Sequence, residues 1–311
     1  MILQIVAVIA GVAMLVFGGD LLVRGAVGIA ARLRMPPSLI GLTIVAMGTS
    51  MPELVVSLGA AVQGQPDLSI GNVVGSNIYN VGLILGLTAL IRRLTCELAE
   101  VRHDGAWMIG ASALFTGLAW DGQLGRLDGL LMLGAMAAFL GSAIRRSYRA
   151  KTAEAEPAPD APALMGWPSA VGFVIGGLLL LMGGAQALIF GATALATALG
   201  VPEMIIGLTV VAIGTSLPEL FASVMAAVRG ESGIAISNIV GSNVFNILFI
   251  LGTTSAISPI RVNPQVMGSD VWWMLGFAVL VVLWAGRALP LGRPFAAVML
   301  ALAAAYTATL V

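Results

Sequence analysis

The chain has 311 residues, of which 59% are hydrophobic and only 10% charged, with no net charge at neutral pH. So little polar surface cannot coat a soluble globule of this size, and a neutral chain offers no bulk attraction to nucleic acid. A single cysteine, Cys96, excludes an intrachain disulfide and any multi-cysteine metal site.

Apolar runs of about 20 residues, each enough for a helix to cross a bilayer, recur along the sequence. They predict an all-α polytopic membrane protein with spans near 2–31, 37–63, 68–91, 105–121, 126–146, 167–197, 203–228, 233–257, 268–286 and 292–310. The first run has no basic leader and no small-residue cleavage pattern, so it is expected to stay as a helix. Asp20 and Arg24, four apart in that run, are expected to neutralise each other. The segment 92–104 reads as a loop, with Cys96 an ordinary thiol, His103 a solvated imidazole and Glu97, Glu100 and Asp104 a solvated acidic cluster. Residues 147–165, rich in Ala, Pro and charge, read as a flexible linker.

Within the second span lies GLTIVAMGTSMPEL (41–54), which returns as GLTVVAIGTSLPEL at 207–220, an offset of 166 (219 − 53). The match extends to 16 identities in 24 positions between 41–64 and 207–230, and to 10 in 17 between 70–86 and 236–252, without a gap. Shared apolar composition does not preserve GTSxPE and GSNxxN together at one offset. Five spans separate equivalent elements, an odd number, so the second copy enters the membrane the opposite way. The expected fold is ten transmembrane helices in two inverted-topology repeats of five, residues 1–146 and 167–311, joined by a cytoplasmic linker at 147–166. Twelve Lys and Arg residues fall on the side reached by the end of the first helix and two on the other, which puts that first side in the cytoplasm and both termini outside.

Each motif carries one carboxylate, Glu53 or Glu219, at a depth where an ionised carboxylate costs about 2.5 to 3.5 kcal/mol. If Pro52 and Pro218 sit within helices, Thr49, Ser50 and Glu53 share a face, as do Thr215, Ser216 and Glu219, and the prolines free backbone carbonyls around Ala46 and Ala212. The next span adds a stripe at i, i+4 and i+8: Asn72, Ser76 and Asn80, matched by Asn238, Ser242 and Asn246. Asn77 and Asn243 fall off that stripe and are expected to tie down backbone. The alternative role for the hydroxyls is a bond back to their own helix, common in membrane helices. Carboxylates, hydroxyls, amides and carbonyls without thiol or imidazole form a hard-oxygen shell suited to Ca²⁺ or Na⁺. Two carboxylates are balanced by one Ca²⁺ or by two Na⁺, the loads an exchanger would carry in turn. An intramembrane hydrolase fits less well, because an acid and a base need unlike surroundings.

GTSxPE followed by GSNxxN, twice, in spans split five and five, resembles the prokaryotic members of the sodium/calcium exchanger branch of the cation/Ca²⁺ exchanger superfamily. The resemblance implies a Ca²⁺/Na⁺ antiporter of the cell membrane, with those ions as substrates and no cofactor, enzymatic activity or protein partner. It implies that Glu53, Glu219, Thr49 and Thr215 hold Ca²⁺. Ala46, Ser50, Ser76, Ala212, Ser216 and Ser242, with the same glutamates, would hold Na⁺, and Asn80 and Asn246 would line the centre. Some relatives have Asp where this chain has Asn80 or Asn246, which argues against potassium coupling. The proton-coupled branch has Asn where this chain has Thr and Ser, which leaves sodium as the expected driving ion.

Overall fold

A computed structural model describes residues 2–95, 98–153, 165–200, 212–287 and 289–310. Cys96, Glu97 and most of the expected linker lie outside the described residues. The helices are α1 (Ile2–Leu33), α2 (Pro37–Thr49), α3 (Met51–Val62), α4 (Pro66–Ile91), α5 (Leu98–Leu118), α6 (Arg126–Ala153), α7 (Trp167–Ala198), α8 (Ala212–Thr215), α9 (Leu217–Arg229), α10 (Ser232–Ile257), α11 (Val266–Gly286) and α12 (Arg293–Thr309). Among the described residues six of these are long and apolar enough to cross a membrane, and the bent pair α2–α3 makes a seventh. The protein is therefore an integral membrane protein, mostly helical.

Burial sorts the spanning helices into layers. The most apolar stretch of α10 is 94% buried and that of α4 67%, against 22% for α1 and 28% for α7. So α4 and α10, which carry the Asn/Ser stripes, form the centre, and the long α1 and α7 lie outside with apolar side chains such as Ile9, Phe17, Leu179 and Phe190 exposed. Without water, a membrane interior offers little hydrophobic drive for helix association, so close backbone approach must supply contact. Glycines at seven-residue spacing do so here. A Cβ on Gly11 would lie 2.8 Å from the Gly184 carbonyl oxygen, and one on Gly18 would lie 2.9 Å from that of Gly177. The helices are antiparallel, and adding 166 to Gly11 and Gly18 gives Gly177 and Gly184, so the crossing maps onto itself.

The two ends of the bundle are stitched by short antiparallel pairings. Gln123–Leu124 (β1) pairs with Ile260–Arg261 (β2), and Leu94 exchanges backbone hydrogen bonds of 2.9 and 3.0 Å with Leu291.

Three expectations are corrected. Helix α6 continues to Ala153, into the segment read as linker. Helix α5 begins at Leu98, so His103 and Asp104 are helical and not in a loop. Asp104 is buried, because Arg146 of α6 meets both its oxygens (3.1 and 3.2 Å) and His103 Nδ1 lies 2.7 Å away, with His103 Nε2 3.0 Å from Ser142 Oγ. Glu100 accepts a hydrogen bond from Ser38. Asp20 does pair with Arg24 at 2.9 Å, but it also binds Arg229 of α9, with Nε at 2.5 Å, fastening α1 to the centre.

The glycine crossing predicts that Gly177→Val, whose new side chain would start 2.6 Å from the Leu22 amide, lowers unfolding stability in detergent by about 1 to 3 kcal/mol. Gly172→Ala, on the same helix but facing open space, should shift the same unfolding curve by no more than about 0.5 kcal/mol.

Candidate ion site

Each GTSxPE motif is a helix break. Helix α2 ends at Thr49, Ser50 leaves helical geometry (φ −84°, ψ 4°), and α3 starts at Met51 with Pro52 in its first turn, bent by 43°. Proline has no N–H to donate and its ring clashes with the preceding turn, so the chain turns there. Ser216 (φ −91°, ψ 7°) repeats the break between α8 and α9. The expected shared face on one continuous helix is thus corrected: Thr49 and Glu53 belong to different helices. The break places Glu53 and Glu219 in the first turns of α3 and α9, where free backbone N–H groups and the helix dipole favour an anion. It does not leave the Ala46 carbonyl free, since Ser50 N–H (3.1 Å) and Thr49 Oγ1 (3.3 Å) both donate to it.

The serines at the breaks cross between the halves. Ser50 Oγ donates to Glu219 Oε1 at 3.0 Å, and Ser216 Oγ donates to Glu53 Oε1 at 3.5 Å and lies 3.5 Å from Ser76 Oγ. One polar cluster therefore encloses both carboxylates, which are fully buried. Glu53 Oε2 and Glu219 Oε2 have no hydrogen-bond partner.

Around them the stripes do three jobs. Asn72 Nδ2 donates to the Glu53 carbonyl (3.3 Å) and to Ser57 Oγ (2.9 Å), and Asn238 Nδ2 does the same with Glu219 (3.5 Å) and Ser223 (2.9 Å), so these amides hold the glutamate-bearing turns. Asn77 and Asn243 each donate to the other's backbone carbonyl at 3.1 Å. Asn80 Nδ2 donates to Asn243 Oδ1 (3.1 Å) and Asn246 Nδ2 to Asn77 Oδ1 (3.0 Å). This ring of four asparagines leaves Asn80 Oδ1 and Asn246 Oδ1 buried without donors, as is Ser242 Oγ. Asn80 and Asn246 both lie in π-helical turns, a geometry frequent at functional sites.

Of the predicted residues, Glu53, Glu219, Ser50, Ser76 and Ser216 share one cluster, Asn80 and Asn246 belong to the asparagine ring, Ala46, Thr49 and Ser242 are buried, Thr215 is half-buried and Ala212 opens α8. Ser57 and Ser223 were not anticipated, although both stand among the repeat identities 166 apart. Met108 and Met274, also 166 apart but outside the matched stretches, were likewise not anticipated, and their sulfurs approach Asn243 Nδ2 (3.6 Å) and Asn77 Nδ2 (3.7 Å). Carboxylate, amide and hydroxyl oxygens aimed inward without donors can replace the hydration shell of a hard cation. Among the described residues no group of three or more His, Cys, Asp or Glu could hold a softer metal.

A family model described as sodium/calcium exchanger protein matches residues 3–145 and 169–311. The chain is 37% identical over 297 residues to the putative antiporter CaxA of Alkalimonas amylolytica, covering 92% of this chain and 91% of that one. It is 34% identical to the inner membrane protein YrbG of Escherichia coli (strain K12), covering 93% and 91%. A structure of the sodium-calcium exchanger NCX_Mj soaked without Na⁺ and Ca²⁺ superposes with a TM-score of 0.87 at 28% identity, over 100% of this chain and 99% of that one.

The reciprocal Asn77–Asn243 bonds predict coupled mutations. Asn77→Ala and Asn243→Ala should each cost about 1 to 3 kcal/mol by leaving buried groups unpaired, and the double variant should depart from their sum by at least about 0.5 kcal/mol in unfolding measurements.

Proposed function

The chain belongs to the sodium/calcium exchanger protein family, which consists of transporters and not enzymes, and from that premise we propose that it exchanges Ca²⁺ for Na⁺ by alternating access. The observation that carries this reading is the mirrored pair of buried glutamates, each held by a serine of the other half and each with one oxygen left over. Glu53 and Glu219 with Thr49 and Thr215 take Ca²⁺. Ser50, Ser216, Ser76, Ser242 and the Ala212 carbonyl join the glutamates for Na⁺, the Ala46 carbonyl joins them once Thr49 Oγ1 turns away from it, and the free amide oxygens of Asn80 and Asn246 face the centre. Asparagine at those two positions adds oxygens without adding charge, so two Na⁺ or one Ca²⁺ balance the site and no further cation is required.

The architecture in this reading is ten spans in two inverted repeats, 1–146 and 167–311, around a linker at 147–166. Contacts that recur when both residue numbers shift by 166, and the self-mapping glycine crossing of α1 and α7, support it. With the basic residues inside, both termini lie outside a cell membrane.

Alternating access is supported by a departure from that symmetry. Thr215 and Pro52 are partly exposed beside a cavity of about 160 Å³ that also touches Gln186, whereas their mirror mates Thr49 and Pro218 are buried. At the mirror place α1 packs on α9, with Gly19 against the Phe221 carbonyl and Asp20 bound to Arg229. One side is therefore closed where the other is open, and the orientation above makes the open side the outer one.

In vesicles loaded with Na⁺, external radiolabelled Ca²⁺ should accumulate only while the Na⁺ gradient lasts. Glu53→Gln and Glu219→Gln should each reduce that uptake at least about a hundredfold, the loss expected when one of two charges facing a buried cation is removed. Normal uptake by either variant refutes the site assignment, and uptake driven by a pH or K⁺ gradient alone refutes sodium coupling.

A further inference from the structure

A second concave site lies away from the glutamates, at the end of the bundle closed by the Leu94–Leu291 pairing. It is a cavity of about 630 Å³ between the end of α4, the end of α11 and the start of α12. Its apolar wall includes Leu90, Ile91 and Leu289, all about half exposed. Two guanidinium groups line it, Arg93 and Arg293.

The backbone explains why these charges stand together. Leu94 and Leu291 exchange hydrogen bonds, which sets Arg93 opposite Gly292, next to Arg293. The Arg93 stem crosses Gly292 closely enough that a Cβ there would lie 3.8 Å from Arg93 Cγ. Among the described residues neither arginine forms a salt bridge to a carboxylate, whereas Arg24, Arg146 and Arg229 all do. Arg293 also opens α12, where a cation opposes the helix dipole and an anion would be favoured. Beside them Trp284 lines the same cavity. Two like charges beside exposed apolar side chains call for one kind of occupant, an anion that carries hydrocarbon.

We propose that this cavity binds the phosphodiester headgroup of an anionic phospholipid. Arg93 and Arg293 hold the phosphate, and the acyl chains lie along Leu90, Ile91 and Leu289. The size suits a headgroup and glycerol, since sites for molecules of that class run to about 300 to 1,000 Å³. The bilayer supplies the ligand, and basic pockets between membrane helices are the usual place for such headgroups. The inference stands independently of the exchange reading, because it uses none of the ion-site residues.

The test uses the full chain, purified and delipidated in detergent, with native mass spectrometry and thermal unfolding as readouts. Dioleoyl phosphatidylglycerol, dioleoyl phosphatidylcholine and inorganic phosphate are added separately. Phosphatidylglycerol should stay bound and raise the unfolding temperature. The Arg93→Gln/Arg293→Gln variant should bind it roughly thirtyfold more weakly, while the exposed control pair Arg34→Gln/Arg102→Gln binds it as before. Should the double variant not fold, Arg293→Gln alone should weaken binding roughly fivefold. Equal binding of phosphatidylcholine, equal loss in the control pair, or an equal stabilisation by inorganic phosphate would overturn the proposal.

Discussion

A carboxylate buried inside a membrane protein costs several kcal/mol to ionise unless something answers its charge, and this protein buries two carboxylates in one cluster. No lysine, arginine or histidine comes near Glu53 or Glu219 in the hydrogen-bond and ion-pair network described above. Their neighbours are neutral: serine hydroxyls from the opposite half and the backbone of their own helix starts. Such partners orient a carboxylate and soften its desolvation without cancelling its charge. In the proposed function the positive charge is left to the substrate, which would let the site both bind a cation and release it.

The surrounding structure follows from that requirement. The proline breaks turn each chain so that the carboxylate sits in a first helical turn, and the broken backbone is tolerated because it is buried in protein and not exposed to lipid. Asn72 and Asn238 fix those turns from the neighbouring helices, and the asparagine ring clamps the two central helices to each other. Outside this rigid centre, α1 and α7 meet each other through glycine-lined surfaces, where contact comes from close backbones and not from interlocked side chains. A smooth crossing of that kind can shift without breaking many specific bonds. The Asp20–Arg229 pair is a specific tie between α1 and the centre, and its repeat-related positions, Gln186 and Gln63, cannot form an ion pair.

Much of this was legible in the sequence, because the repeat itself encodes the site. A constant offset of 166 flagged the glutamates, the serines and the asparagines before any geometry was known, and Glu53, Glu219, Ser50, Ser76 and Ser216 do meet in one cluster. What the sequence could not convey was direction. Ser50 lies three residues from Glu53, so local spacing suggests that they meet. In the fold Ser50 reaches Glu219 instead, because the helix turns between positions 49 and 51 and the two halves interlock. Asn72 stands in the same stripe as Ser76 and Asn80, yet its amide holds backbone and Ser57. His103 and Asp104 read as loop residues because charge is rare in a span, and only Arg146, distant in sequence, allows Asp104 to be buried. In each case a tertiary partner decided a role that local pattern left open.

The central claim is that Glu53 and Glu219 share one divalent cation. Anomalous diffraction from crystals soaked in Sr²⁺, a heavier stand-in for Ca²⁺, tests it directly. The account predicts a single strong peak between the two carboxylates, coordinated at about 2.3 to 2.6 Å or slightly beyond by Glu53 Oε2 and Glu219 Oε2. Two separate peaks, one on each glutamate, or strong density only at other sites while both carboxylates stay unoccupied, would contradict it.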